Sequence, residues 1–163
     1  MSRIMDAIRR NFDDAKWNYS YEERDSDGDE VIRMGMRTKQ LENCRTIVVG
    51  RGDEGFTVYS VCPVKVPEDA RIRVAEYLTR ANYALTIGNF ELDFSDGEVR
   101  YKVTNFCGDI DLDQEVIDRQ VGTGYNMMDR YFPGMMKVIY SGFSPADAIE
   151  EAEAPEPAPA SEE

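Results

Sequence analysis

Two short acidic runs are the first places where this sequence offers chemistry. Asp25, Asp27 and Asp29 alternate around Gly28, and Asp109, Asp111 and Asp113 repeat the spacing further along. Carboxylates spaced this way suit a hard divalent cation such as calcium. The calcium loop also requires Gly at its sixth position and Glu at its twelfth. Counting from Glu23 puts Gly28 sixth but Met34 twelfth, and counting from Asp109 puts Gln114 sixth and Gln120 twelfth. Neither run completes the pattern. Solvated turns, and a helix N-terminus that favours acids, account for both. The six aspartates are the ligands of an alternative function: divalent-metal binding, or a carboxylate-based metal-dependent enzyme.

Other reactive groups are sparse. The chain has no histidine, which removes Ser-His-Asp and Cys-His triads and His-ligated zinc. Cys44, Cys62 and Cys107 are odd in number, widely spaced and without a Cys-x-x-Cys pair. They read as buried structural thiols in a reducing cytoplasm. Gly122-Thr123-Gly124 begins like a phosphate loop, but it has no third glycine and sits inside an amphipathic helix. Close helix packing is its expected role. Arg51-Gly52-Asp53 reads as a hairpin tip. The expectation is therefore a protein that is not an enzyme and has no metal or cofactor.

Charge narrows the partners. The net charge is −13, and six of those charges are the glutamates at 150, 151, 153, 156, 162 and 163, leaving −7 on the rest. Nucleic-acid binding needs Lys and Arg along phosphates, so this balance opposes it. No apolar run approaches the ~18 residues of a membrane helix, and MSRIMDAIRRNFDDAKW is not a secretory signal. A membrane partner is not expected.

The elements that would position these groups follow from periodicity. Ile4, Met5, Ile8 and Phe12 mark a first helix, and WNYSYEE alternates as a half-buried strand. An Asp27-Gly28 turn would set Tyr21 opposite Met34, Tyr19 opposite Met36 and Glu22 opposite Arg33. Two more strands, NCRTIVVG and FTVYSVCPV, complete a four-stranded meander. Pro67 opens a helix with Val74, Leu78 and Ala81 on one stripe, ending at Asn82. In the next hairpin, a two-residue Asp96-Gly97 turn would pair Phe94/Val99, Asp93/Arg100, Leu92/Tyr101, Glu91/Lys102 and Phe90/Val103. Every inward pair is then apolar and every charged pair opposite in sign. A long helix follows, expected to stop at Pro133-Gly134, then a short apolar piece MMKVIYSG. A last helix is capped by Ser144-Pro145. The order predicts an α+β fold, an antiparallel sheet with helices on one face. Residues 1–149 form one domain, and the Pro/Ala/Glu-rich stretch 150–163 is expected to be a disordered tail.

One cluster suits protein binding. Met127, Met128, Met135 and Met136 surround Tyr131 and Phe132, and flexible methionines adapt to varied partners. Neighbouring methionines cannot share a helix face, so some should be exposed or at an interface.

The stretches EYLTRANYALTIGNFELDFSDGEVRYKV and MMDRYFPGMMKVIYSGFSPADAI resemble the bacterial YbjN-like family, a likeness covering about Val66 to Glu151. The resemblance implies a type III secretion chaperone-like fold. It also implies a non-enzymatic, dimeric protein-binding module, chaperone-like or regulatory, with no catalytic residues to carry over. A homodimer with an unknown protein partner in the cytoplasm is the resulting expectation. Asn82, Gly88, Asp96 and Gly97 then read as structural, with Asn82 tying the helix end to the turn before Gly88.

Overall fold

In the computed structural model, which describes residues 2–25, 27–110 and 112–155, four helices pack on a six-stranded sheet. In chain order the elements are α1 (Arg3–Asp14), β1 (Tyr19–Glu22), β2 (Val31–Met36), β3 (Cys44–Gly50), β4 (Gly55–Val61), α2 (Arg71–Ala84), β5 (Asn89–Leu92), β6 (Val99–Phe106), α3 (Gln114–Tyr140) and α4 (Pro145–Glu153). The strand order is β1-β2-β3-β4-β6-β5, antiparallel throughout. This is the α+β arrangement that the periodicity predicts. One side of the sheet carries the apolar rows that meet the helices. Ile32, Val48, Phe56 and Val58 pack with α1 and the first half of α3. Val99, Tyr101, Val103 and Phe90 pack with α2, α4 and the second half of α3.

Both hairpin registers differ from the sequence expectation by two residues. Tyr19 pairs with Met34 and Tyr21 with Ile32, while Phe90 pairs with Tyr101 and Leu92 with Val99. A shift of two leaves every side chain on its own face, because the strand period is two. Apolar patterning therefore fits both registers equally, and turn chemistry decides between them. The Asp25 carboxylate accepts the Asp27 and Asp29 N–H groups at 2.9 and 3.0 Å. The Asp93 carboxylate accepts the Ser95 N–H at 2.7 Å, and Asp93 pairs through its own N–H with the Glu98 carbonyl. Each aspartate so holds a longer loop than the two-residue turn. The Glu22–Arg33 ion pair still forms, diagonally, at 2.9 Å.

Helix α3 also departs from expectation. It does not stop at Pro133-Gly134 but continues to Tyr140, taking in MMKVIY of the expected apolar piece. Proline removes one backbone hydrogen bond inside a helix. Burial of Tyr131, Met135 and Val138 on both sides of the break offsets that loss. Gly134 lies where both α2 and α4 approach α3. A Cβ there would meet the Tyr77 ring at 3.0 Å, its hydroxyl oxygen closer still, and the Ala148 carbonyl at 3.1 Å. The Tyr77 hydroxyl donates to the Tyr131 carbonyl at 2.9 Å inside this contact. Helix α4 runs through Glu153, four residues into the stretch expected to be tail, and residues 156–163 lie outside the described residues.

Two predictions follow from this packing. Gly134→Ala should destabilise the fold by roughly 1–3 kcal/mol through overpacking. The loss measured by urea unfolding should be smaller in a Tyr77→Phe background, which removes the closest atom. On the sheet, burial tends to raise the Glu91 carboxyl, but hydrogen bonds from Lys102 and Arg100, and their charges, outweigh it and hold it below its usual 4.5. A lowered folded value stabilises at higher pH and is lost as pH falls through it. Acid should therefore lower the urea midpoint, and Glu91→Gln should make that fall shallower.

Candidate functional site

One aspartate of each acidic run holds backbone. Asp25 brackets its turn, and Asp113 caps α3 by accepting the Val116 N–H at 2.8 Å. Asp111 lies outside the described residues. Among the described residues, no three metal-capable side chains converge. The hydrogen bond from the Asp29 N–H, with those of Asp27 and Gly28 and the charge of Arg33, keeps the Asp25 carboxyl below its usual range.

The remaining motifs also take packing positions. Gly124 lies against the sheet, where a Cβ would meet the Ser60 hydroxyl oxygen at 2.6 Å, as close packing requires. Gly122 has ordinary space. Arg51-Gly52-Asp53 is the tip between β3 and β4, and Asp53 accepts the Arg3 N–H at 2.8 Å. A cleft of about 660 Å³ opens between α3 and α4. Its charges are largely internal: Lys137 pairs with Glu151, Arg130 donates to the Ala152 carbonyl, and Asp129 accepts the Gln40 N–H.

Asn82, Gly88, Asp96 and Gly97 form the corner that joins α2 to the last hairpin. β5 is an edge strand, so Phe90 presents an N–H and a C=O that no neighbouring strand takes. The Asn82 amide takes both: Oδ1 accepts from the Phe90 N–H at 2.7 Å, and Nδ2 donates to the Phe90 carbonyl at 3.1 Å. Its partner is the strand, not the turn before Gly88. Gly88 has φ +75°, and a Cβ would meet the Lys102 carbonyl at 2.6 Å. Gly97, at φ +81°, seats against the backbone of Val66, whose N–H donates to the Gly97 carbonyl at 2.8 Å. Asp96 accepts the Glu98 N–H at 2.9 Å and pairs with Lys65.

The methionine cluster divides. Met128, Tyr131 and Met135 are buried, while Met127, Phe132 and Met136 are half-buried against the same core. Tyr131 is the middle of a run of edge-to-face rings. Its centroid is 6.4 Å from Tyr77 and 5.4 Å from Phe90, which is 4.8 Å from Tyr101. Three of the six expected binding residues are thus core, because Pro133 does not end the helix and α4 covers its second half. None of the six is among the large exposed apolar side chains.

Large apolar side chains are exposed at the end of β6 and just beyond it (Phe106, Ile110), at the two ends of α3 (Val116, Tyr140), and on and beside α2. Ile72 is 72% exposed and Tyr83 96%. Their spacing puts them within about 20° of each other around the helix. Phe94 flanks the first end, its carbonyl held by Arg71 at 2.7 Å, and Ile87 flanks the second. The sequence carried a signal for this face, since Ile72 and Tyr83 fall outside the buried stripe of Val74, Tyr77, Leu78 and Ala81.

A family model for YbjN, described as "putative bacterial sensory transduction regulator", matches residues 5–136, most of the chain. No curated protein matches it. No helix among the described residues is long and apolar enough to cross a membrane.

Removing the Asn82 amide leaves the partly buried Phe90 N–H unpaired and its carbonyl with the Asn89 amide alone. Asn82→Ala should therefore destabilise the fold by about 1–2 kcal/mol in a thermal melt. An unchanged melt would contradict the role given to this side chain.

Proposed function

This chain belongs to the YbjN family, and from that premise we propose that it is a non-enzymatic module that binds another protein, in a regulatory or chaperone-like role in the cytoplasm. The observation that carries the reading is the apolar outward face of α2, with Ile72 and Tyr83 on one line and Phe94 and Ile87 at its ends. Isolated exposed apolar residues are ordinary on a surface, but exposed side chains at both ends of one helix face suit a partner that spans it. Glu76 and Thr79 fall on the line between Ile72 and Tyr83, and Arg80 pairs with Glu76, so the face is apolar at its ends and polar between them.

The chemistry of the chain supports a binding role over a catalytic one. Histidine is absent. Burial pushes the Cys44 and Cys62 thiols up to about 12 and about 11, far from a reactive thiolate. Of the described aspartates in the two acidic runs, Asp25 holds a turn and Asp113 a helix cap. A second copy of the chain would fit the same α2 face, which makes the homodimer a variant of this reading.

Ile72→Glu/Tyr83→Glu should melt within ~0.5 kcal/mol of the parent, as surface substitutions do. It should lose the partner that the parent captures from its native lysate, identified by mass spectrometry. Sedimentation of parent and variant separates the two versions, since only a self-interface would turn a parent dimer into a variant monomer. A folded variant that binds and associates like the parent would overturn the assignment.

A further inference from the structure

Cys44 and Cys62 face one another across the sheet. The register that pairs Arg45 with Val61 sets Cys44 opposite Cys62 one step further on. The Cys62 N–H donates to the Val99 carbonyl of β6 at 2.8 Å. Within an antiparallel strand a residue's N–H and C=O point to the same side, so toward β3 Cys62 occupies a non-hydrogen-bonded position. Such pairs have the shortest approach in an antiparallel ladder, about 4.5 Å between Cα atoms. That separation falls within the roughly 4.4–6.8 Å that a disulfide spans. Both side chains belong to the helix-facing core, in a row that runs Met36, Cys44, Cys62, Val99 across four strands. Both are free thiols, and Cys107 lies apart against the other core cluster.

We propose that Cys44 and Cys62 form a reversible disulfide, a clasp between the start of β3 and the exit of β4 that makes this fold respond to thiol redox state. The oxidant is a small disulfide such as oxidised glutathione. The thiolate of one cysteine attacks a glutathione sulfur, giving a mixed disulfide and releasing one glutathione thiolate. The second cysteine thiolate attacks the protein sulfur of that mixed disulfide, and the second glutathione thiolate leaves. One S–S bond breaks and one forms, two protein thiols are oxidised, and glutathione disulfide is reduced to two thiols.

The surroundings make the exchange slow. Burial raises both thiols, and Cys62 adds to the rise at Cys44. Few thiolates exist while the ladder is closed, so exchange requires local opening. The segment that must open is Cys62–Val66, held to the last hairpin by the Cys62 and Val66 N–H bonds, each 2.8 Å. It leads directly into α2, so closing the clasp fixes the strand that carries the chain to the exposed helix face.

The test is an equilibrium approached from both sides in glutathione buffers. The reduced native chain, and a chain oxidised in urea and then refolded by dilution, are each brought to equilibrium, quenched with an alkylating agent and analysed by intact mass and peptide mapping. In oxidising buffer both should converge on a chain lighter by two hydrogens, with a Cys44–Cys62 linked peptide and only Cys107 alkylated. Excess reduced glutathione should restore three alkylated thiols. The effective concentration of the pair should be at least about tenfold higher in the native chain than in urea. Cys62→Ser should abolish the linked peptide. Three free thiols at equilibrium from both directions, pairing through Cys107, or equal effective concentrations in native buffer and urea would overturn the proposal.

Discussion

The side-chain amide of Asn82 stands where the backbone of a seventh strand would otherwise be needed. It satisfies the outward N–H and C=O of Phe90 on the edge strand. The same two hydrogen bonds fix the C-terminal end of α2 to β5 and bring the helix's buried stripe over Phe90 and Tyr101. A second anchorage lies on the opposite flank, where Gly134 lets the Tyr77 ring approach α3 and donate to the Tyr131 carbonyl. Between the two, α2 cannot roll. Ile72 and Tyr83 are held away from the core, although burying them would be favourable at about 25 cal/mol per Å².

Much of this was legible in the residues. Element types follow from periodicity, and the Ser144-Pro145 cap forms as its sequence demands, with the Ser144 hydroxyl accepting the Asp147 N–H at 3.1 Å. The failures share a cause: a local pattern that two arrangements satisfy equally. Alternating strands accept a two-residue register shift without moving a side chain to the other face, so only the carboxylates of Asp25 and Asp93 select the loop. Pro133-Gly134 looks like a terminator when read locally. It becomes the crossing point of three helices once Tyr77 and Ala148, distant in sequence, are in place. Which members of the methionine cluster are core was not legible for the same reason, since α4 covers a side of α3 that a helix ending at Pro133 would have left open.

Function concentrates in shape because the polar side chains are used elsewhere. Asp25, Asp93, Asp96 and Asp113 each hold backbone N–H groups, Glu91 neutralises Arg100 and Lys102, and the mixed charges of the α3–α4 cleft pair among themselves. The outward face of α2 keeps Ile72 and Tyr83 exposed on a helix tied down at Tyr77 and Asn82. A regulator of the YbjN family that works by binding needs little more: a rigid frame, one exposed face, and a means of altering the segment that feeds it. The opposed cysteines at the exit of β4 lie on that segment.

If the outward face of α2 meets another protein, a residue on that face must lie within crosslinking reach of it. A photo-crosslinking amino acid at Tyr83, and separately at Thr104 on the exposed part of β6, in the cells that make this chain, tests this. A discrete covalent adduct is expected from position 83, whether to a second copy or to a different protein, and none from position 104. No adduct from position 83, or the same adducts from both, would contradict it.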